Sequence, residues 1–140
     1  MSWLRALSLI VAAALFAPLA AAQDFPPLSG RVVDQADLLA PAEEAALAAK
    51  LEAFEARTKQ QLVVATVTSL NDRDIAEYGT ALSRAWGIGT AERNDGVVFL
   101  IAPNERRMRI EVGYGLEPVL TDALSGRIIR DSVTPAFKAG

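Results

Sequence analysis

The sequence predicts an α/β fold, a three-layer α/β/α sandwich around a small mixed β-sheet. Two segments, residues 61–68 and 97–102, carry near-continuous aliphatic side chains, which is typical of strands covered on both faces. Residues 75–86 between them have helical periodicity, and a strand–helix–strand unit of this kind forms a right-handed crossover with parallel strands. Residues 107–112 alternate between polar and apolar side chains, which predicts an antiparallel strand after a turn at 103–105.

Start and stop signals bound the first two helices. Pro41 at a first helical position, with acidic residues in the next turn, predicts a helix that ends near residue 57 or 58. Asp74, followed three residues later by Glu77, predicts a capped second helix, and Gly87 predicts its end.

The remaining elements carry weaker signals. Residues 31–34 are expected to form a short strand or a turn. A third helix is expected to start near residue 121 or 122 and to bury three apolar side chains, those of Leu124, Ile128 and Ile129.

The N-terminal residues have the pattern of an export signal. Residues 1–22 combine Arg5, an apolar run and three alanines before Gln23, which is typical of a signal peptide with an Ala-x-Ala cleavage site. We therefore expect cleavage near Ala22 and a periplasmic or secreted protein, in which residues 23–30 form an extended lead-in. An uncleaved N-terminal anchor is the alternative, because the apolar run is nearly long enough to span a bilayer.

The composition excludes several classes of function. The 140 residues contain no cysteine, so neither a lipid anchor on a lipobox cysteine nor a thiolate metal site is expected. The formal net charge of −3 and the lack of a basic run argue against nucleic acid as a partner. Because histidine is also absent, the available metal ligands are carboxylates and amides, which suit calcium and magnesium.

The predicted hairpin brings polar residues together at its open end. Asn94 and Asp95 precede one hairpin strand, whereas Glu117 and Asp122 follow the other. Two structural explanations compete with a cation site: Asp95 suits a turn with Gly96, and Asp122 suits a helix cap.

These segments resemble a known family as a set. The motifs are Trp86-Gly87-Ile88-Gly89, Asn94-Asp95-Gly96 and residues 113–117, with residues 30–34 upstream and 120–122 downstream. Together they resemble the TPM domain, a family of thylakoid photosystem II repair proteins, an acetylcholine-receptor auxiliary subunit and many bacterial exported proteins, over roughly residues 28–137.

The resemblance implies a Rossmann-like TPM domain over residues 31–140 and a divalent-cation pocket, with Asp34, Asp95 and Asp122 as the matching acids. Many relatives continue into a further helix, so it stays open whether residues 31–140 include the last helix of the domain. The predicted ligand set consists of Asp34, Asn94, Asp95, Glu117 and Asp122.

Two functions follow as expectations. The first is an exported accessory protein that binds calcium or magnesium and assists envelope or membrane protein complexes, with a partner that the sequence does not identify. The second, an activity associated with some plant members, is a weak metal-dependent acid phosphatase, for which no catalytic residue can be assigned. The segment Gly113-x-Gly115-x-x-Pro118 follows a predicted strand and imitates a dinucleotide fingerprint. Nucleotide cofactors are not expected, because proline occupies the position of the third glycine.

Overall fold

The computed structural model describes residues 25–89 and 95–139, which form one four-stranded sheet with helices on both faces. The predicted signal peptide, residues 1–22, lies outside the described residues. The strands are β1 (Val32–Asp34), β2 (Leu62–Thr66), β3 (Val97–Ala102) and β4 (Arg107–Val112). The helices are α1 (Pro41–Thr58), α2 (Ile75–Trp86), α3 (Asp122–Ile128) and α4 (Thr134–Ala139), with a 3₁₀ turn at Tyr114–Leu116 and a π-helical segment at Ile129–Val133.

The sheet has the mixed topology that the sequence predicts. Its strand order is β1-β2-β3-β4, with the first three strands parallel and β4 antiparallel to β3. The predicted crossover and hairpin are therefore both confirmed. In the hairpin Val97 pairs with Val112 at the open end, and Ala102 pairs with Arg107 beside the turn.

One face of the sheet packs against α2 and forms the hydrophobic core. Alternate residues of β2 and β3 are fully buried against Tyr78 and Leu82 of α2. The lead-in packs against the same helix: the ring of Phe25 meets that of Tyr78 edge to face at 5.1 Å. Trp86 Nε1 also donates a hydrogen bond to the Pro26 carbonyl over 2.8 Å, so the packed structure already includes residues before β1.

The opposite face of the sheet is covered by α1 and by the segment around α3. Leu51 of α1 is buried there, while the strand residues beneath it, such as Val64 and Phe99, are only half-buried. The third layer of the predicted sandwich is thus present but leaves an apolar groove between α1 and the segment around α3. No helix among residues 25–89 and 95–139 is long and apolar enough to cross a membrane.

The third helix starts where the sequence predicts, but its packing differs from the prediction. Leu124 was expected to be buried and is instead 36% exposed, whereas Ser125 is the buried residue of α3. A seven-residue helix makes fewer than two turns, so its neighbours rather than its own apolar side decide which residues are buried. The cap also differs from the helix-cap explanation of Asp122, because the Thr121 hydroxyl accepts the hydrogen bond from the Leu124 amide.

The polar face of β4 is less exposed than its alternation suggests. Arg107, Arg109 and Glu111 alternate on the face that packs against α2, and the side chain of Glu111 is only 16% exposed. Glu111 is therefore not part of an exposed polar surface. The strand signal was correct, but the neighbouring helix covers part of its polar side.

Candidate functional site

The loops at the open end of the hairpin meet, as the hairpin geometry predicts. The amide of Gly113 donates a hydrogen bond to the Gly96 carbonyl at 2.8 Å, which extends the ladder one step beyond the last strand pair. The chain then turns through the 3₁₀ segment, where the Glu117 amide donates to the Tyr114 carbonyl. Residues before β3 and after β4 consequently form one loop cluster.

Glycine backbones allow the end of α2 to approach this cluster. Gly87 ends the helix in the left-handed conformation, and Gly89 has a φ of +85°. A Cβ atom on Gly89 would lie 2.5 Å from the Gly96 nitrogen and 3.3 Å from that of Asp95. Only glycine fits there, because side chains would need both a rare backbone conformation and space that is already filled.

A cleft of about 420 Å³ lies between the end of α2, the end of β4 and the 3₁₀ turn. Its polar side chains come from α2, from the end of β4 and from the turn after β4. They are Thr80, Ser83, Arg84, Glu111, Tyr114 and Glu117. A cleft of this volume is large enough for an ion with its water shell or for a small ligand.

The two glutamates of the cleft are in different electrostatic states. Glu111 accepts hydrogen bonds from the Thr80 hydroxyl at 3.1 Å and from Arg109 Nε at 2.8 Å, so its charge is largely compensated. Glu117 is exposed and forms no ion pair within residues 25–89 and 95–139. The carboxylate free to bind a ligand in this cleft is therefore that of Glu117.

The wall formed by α2 supplies one positive and one neutral polar group. Arg84 is exposed at the cleft and has no ion-pair partner in the described part of the chain. The hydroxyl oxygen of Ser83 is buried and has no hydrogen-bond partner there. An unsatisfied buried hydroxyl is costly, and a water or a ligand in the cleft would satisfy it.

The predicted ligands are only partly brought together. Asp95 is 5% exposed and adjoins Gly96, which lines the cleft. Asp122 is exposed in the first turn of α3 and does not line the cleft, and Asn94 lies outside the described residues. Among the described residues, no three carboxylates are arranged so that they could hold a metal ion. Cation binding at the hairpin mouth thus remains a prediction.

Asp34 lies at the other edge of the sheet, so the structure does not bring it together with Asp95. It pairs in register with Thr66, which pairs with Ile101. Ile101 is four residues beyond Val97, where β3 begins next to Asp95. At about 3.3 Å per residue, Asp34 therefore lies about 13 Å further along the strand direction than the start of β3.

The carboxylate of Asp34 already has a structural role. It accepts hydrogen bonds from the Thr66 hydroxyl at 2.6 Å and from the amides of Leu38 and Leu39 at 3.0 and 2.8 Å. Burial alone raises the pKa of Asp34, but these three hydrogen bonds outweigh it and hold the pKa below its ordinary value. Asp34 thus fastens the turn after β1.

Sequence reasoning missed most of the side chains that line the cleft. Thr80, Ser83 and Arg84 are spaced three and four residues apart on α2, which places them on one side of the helix. Glu111 stands on the polar face of β4. The sequence does show a polar side on α2 and a polar side on β4. These sides indicate a shared cleft only once it is known that α2 packs against β4.

Comparison with known proteins decides the family. A family model of the TPM domain matches residues 32–140. The chain belongs to the TPM domain family. Its loop cluster at the hairpin mouth therefore lies within the domain that defines the family.

Two solved structures support the TPM fold of this chain. The solution structure of the N-terminal domain of a P. gingivalis protein is 36% identical, with a TM-score of 0.71 over 80% of this chain and 72% of that one. The N-terminal domain of the cg2496 protein from Corynebacterium glutamicum is 17% identical, with a TM-score of 0.60 over 83% and 73% of the two chains, and it supports the fold alone. No curated protein matches the chain.

Proposed function

We propose that this TPM domain is an exported accessory module that binds calcium or magnesium at the hairpin mouth and assists envelope or membrane protein complexes. The observation that carries the proposal is the cleft in which the exposed Glu117 faces the carboxyl end of α2. The carboxyl end of a helix carries a partial negative charge, which adds to that of Glu117 and favours a cation. Arg84 in the last turn of α2 lines the same cleft and offsets part of this negative charge, so a cation needs further oxygen ligands.

The surroundings of the cleft provide further oxygen ligands of the kind that hard cations prefer. Asp95 is buried beside Gly96, which lines the cleft. In the proposed site Asp95 and Glu117 contribute charge, while Asn94 contributes an amide oxygen. Calcium accepts such a mixture of carboxylate, amide and backbone oxygens together with water.

One observation favours the alternative, a weak metal-dependent acid phosphatase. Arg84 lines the same cleft without an ion-pair partner among the described residues, so it could neutralise a phosphate bound beside a cation. Because the chain has neither histidine nor cysteine, water activated by the metal would have to be the nucleophile. We therefore expect hydrolysis of aryl phosphates to be slower than about 1 per second, the lower end of typical enzyme turnover.

The experiment for the cation site is a melting curve with and without divalent salt. Extracellular calcium modules bind with dissociation constants of about 0.1 to 1 mM. At a hundredfold excess of ligand over the dissociation constant, binding adds about 2.7 kcal/mol of stability. For a domain of this size the melting temperature should then rise on the order of 10 °C. Sodium chloride at the same ionic strength controls for salt effects.

Variants assign the shift to the cleft. Glu117→Gln should remove most of the calcium-dependent shift, whereas Glu52→Gln, an exposed acid on α1, should leave it intact. Asp122→Asn tests whether the acid of α3 takes part, since the structure places it outside the cleft lining. The proposal fails if calcium and magnesium at about 10 mM, far above the expected affinity range, leave the melting temperature at its sodium chloride value.

A second assay separates binding from catalysis. Aryl phosphate hydrolysis by the unmodified protein, Glu117→Gln and Arg84→Gln should be equally negligible if the cleft only binds a cation. Turnover in the ordinary enzyme range that both substitutions abolish would instead establish the phosphatase.

A further inference from the structure

The last strand of the sheet, β4, has unused backbone hydrogen-bonding groups on the side turned away from β3. The Gly113 amide donates to the Gly96 carbonyl, and antiparallel strands bond at every second residue pair, so the odd-numbered residues of β4 bond to β3. The residues whose amides and carbonyls point outward are Met108, Ile110 and Val112. Within residues 25–89 and 95–139 these outward groups have no hydrogen-bond partner. An unpaired edge of six residues is a template for a further strand.

The side chains of β4 separate into two faces. Arg109 and Glu111 lie on the α2 face, where Nε and Oε2 are 2.8 Å apart and the side chains are 31% and 16% exposed. Apolar side chains occupy the other face; they are those of Met108, Ile110 and Val112. A strand that pairs well with β4 has alternating charges on one face and apolar residues on the other. A second copy of β4 has this pattern.

One antiparallel register makes two copies of β4 complementary. With a two-fold axis at Ile110, Arg109 faces Glu111 of the second copy. On the other face Ile110 meets its own equivalent, and Met108 meets Val112. Opposite charges and apolar side chains across a strand pair stabilise it, whereas like charges directly opposite destabilise it. Moving the axis by one residue would place Arg109 or Glu111 opposite its own equivalent, so the charges favour a single register.

We propose that the domain forms a two-fold dimer in which the β4 strands of two copies pair antiparallel about Ile110. The four strands of each copy then join in one continuous sheet. Each of the three outward residues exchanges two hydrogen bonds with its counterpart, so every unused group of β4 is satisfied. Glu111 lines the cleft at the hairpin mouth, and the dimer therefore places Arg109 of the second copy beside the wall of that cleft.

The helix next to β4 presents small residues on the side of the second copy. The large buried side chains of α2, Tyr78 and Leu82, pack into the core with residues of β2 and β3. Thr80 faces β4, because its hydroxyl donates to Glu111 over 3.1 Å. The residues one turn before and after Thr80 on that side are Ala76 and Ser83. Small side chains let two helices pack closely, so the α2 helices of both copies can lie side by side.

Single cysteines test the register, since the chain has no cysteine of its own. Opposed residues of a hydrogen-bonded antiparallel pair have Cα atoms about 5.5 Å apart, which suits a disulfide. Mild oxidation of Ile110→Cys should therefore give a covalent dimer on a non-reducing gel. Met108→Cys is the matched control, because the two copies of residue 108 lie about 13 Å apart along the strands. It should cross-link only when it is mixed with Val112→Cys.

Charge reversal tests the pairing without cysteines. Light scattering after gel filtration should show a dimer of the unmodified protein at concentrations up to about 1 mM, a range that includes weak interfaces. Arg109→Glu and Glu111→Arg should each be monomeric, because each brings like charges together across the axis. An equal mixture of the two should dimerise, since opposite charges then meet at both positions. Circular dichroism verifies that each variant is folded, and Glu52→Lys on α1 is the control that should remain dimeric.

The outcomes decide between this dimer and other states. A monomer at every concentration, with no cross-link in Ile110→Cys, would overturn the proposal. A dimer that persists in both charge-reversed proteins, or that Met108→Cys alone cross-links as well as Ile110→Cys does, would place the interface elsewhere and refute the β4 pairing. All measurements are made without divalent salt, so the result is independent of the cation site.

Discussion

Replacing Asp34 tests whether this acid stabilises the fold or binds a cation. The family resemblance implies a ligand, whereas the structure shows a carboxylate that fastens the turn after β1. Asp34→Ala removes the acceptor for the Thr66 hydroxyl and for the amides of Leu38 and Leu39. It should therefore destabilise the domain to the same extent with and without calcium.

The magnitude follows from the three lost hydrogen bonds. Hydrogen bonds to a charged group can contribute more, but water screens this partly exposed site. We therefore assign each bond about 1 kcal/mol, the typical value for a hydrogen bond between neutral groups. Their sum is a free energy of about 3 kcal/mol, which corresponds to a fall in melting temperature of about 10 °C for a domain of this size. Asp34→Asn keeps one acceptor oxygen, so its effect should be about half as large.

The pH dependence provides an independent check. The folded-state pKa of Asp34 lies below its ordinary value of 3.8, so its carboxylate stabilises the folded state. That contribution is fully present above about pH 4 and is lost as the pH falls through the lowered pKa. The difference in unfolding free energy between the unmodified protein and Asp34→Asn should therefore be constant near neutrality and shrink in acid.

Urea unfolding at several pH values, with calcium or without it, measures both effects. The structural explanation is refuted if Asp34→Ala unfolds like the unmodified protein without calcium and loses only the calcium-dependent stabilisation. That result would make Asp34 a ligand despite its distance from the cleft. Glu52→Gln again serves as the control, because it removes an exposed acid without hydrogen bonds to the turn.

Three other predictions concern the residues that support the cleft and the export of the protein. Gly89→Ala should destabilise the domain by about 2 kcal/mol in urea unfolding, because its positive φ and the contact with Gly96 both oppose a side chain. Trp86→Phe should cost about 1 kcal/mol by loss of the hydrogen bond to Pro26 while keeping an aromatic ring in the core. The protein recovered from the periplasm should have an intact mass that begins at Gln23, and a retained Met1 in the membrane fraction would favour the anchor.

The fold was predictable because each element has its own periodicity and its own terminal signals. The strand 97–102 and the helix that begins at Pro41 agree with the sequence to the residue. The packing of α3 was not predictable, because a seven-residue helix offers too few positions for its apolar side to dominate. Ser125 is buried and Leu124 is exposed through contacts that no local pattern encodes.

Strand direction alone could have predicted that Asp34 and Asp95 do not share a pocket. Asp34 ends a strand that runs parallel to β3, whereas Asp95 precedes β3. The two acids therefore belong to opposite edges of the sheet wherever those strands are parallel. Assigning both to one pocket followed the family resemblance and overlooked this consequence of the predicted topology.

Strand direction also explains where a ligand can bind. Open α/β sheets usually bind ligands beyond the carboxyl ends of their parallel strands. Here several polar groups at that edge bond to one another: the Thr66 hydroxyl donates to Asp34, and Asn104 Nδ2 donates to the Thr68 carbonyl. These groups are thus already used within the fold. At the opposite edge, the antiparallel β4 returns the chain beside the start of β3, and glycines hold the end of α2 against this junction. The reversal of one strand thereby moves the open polar site of this domain to the edge that a fully parallel sheet would leave unused.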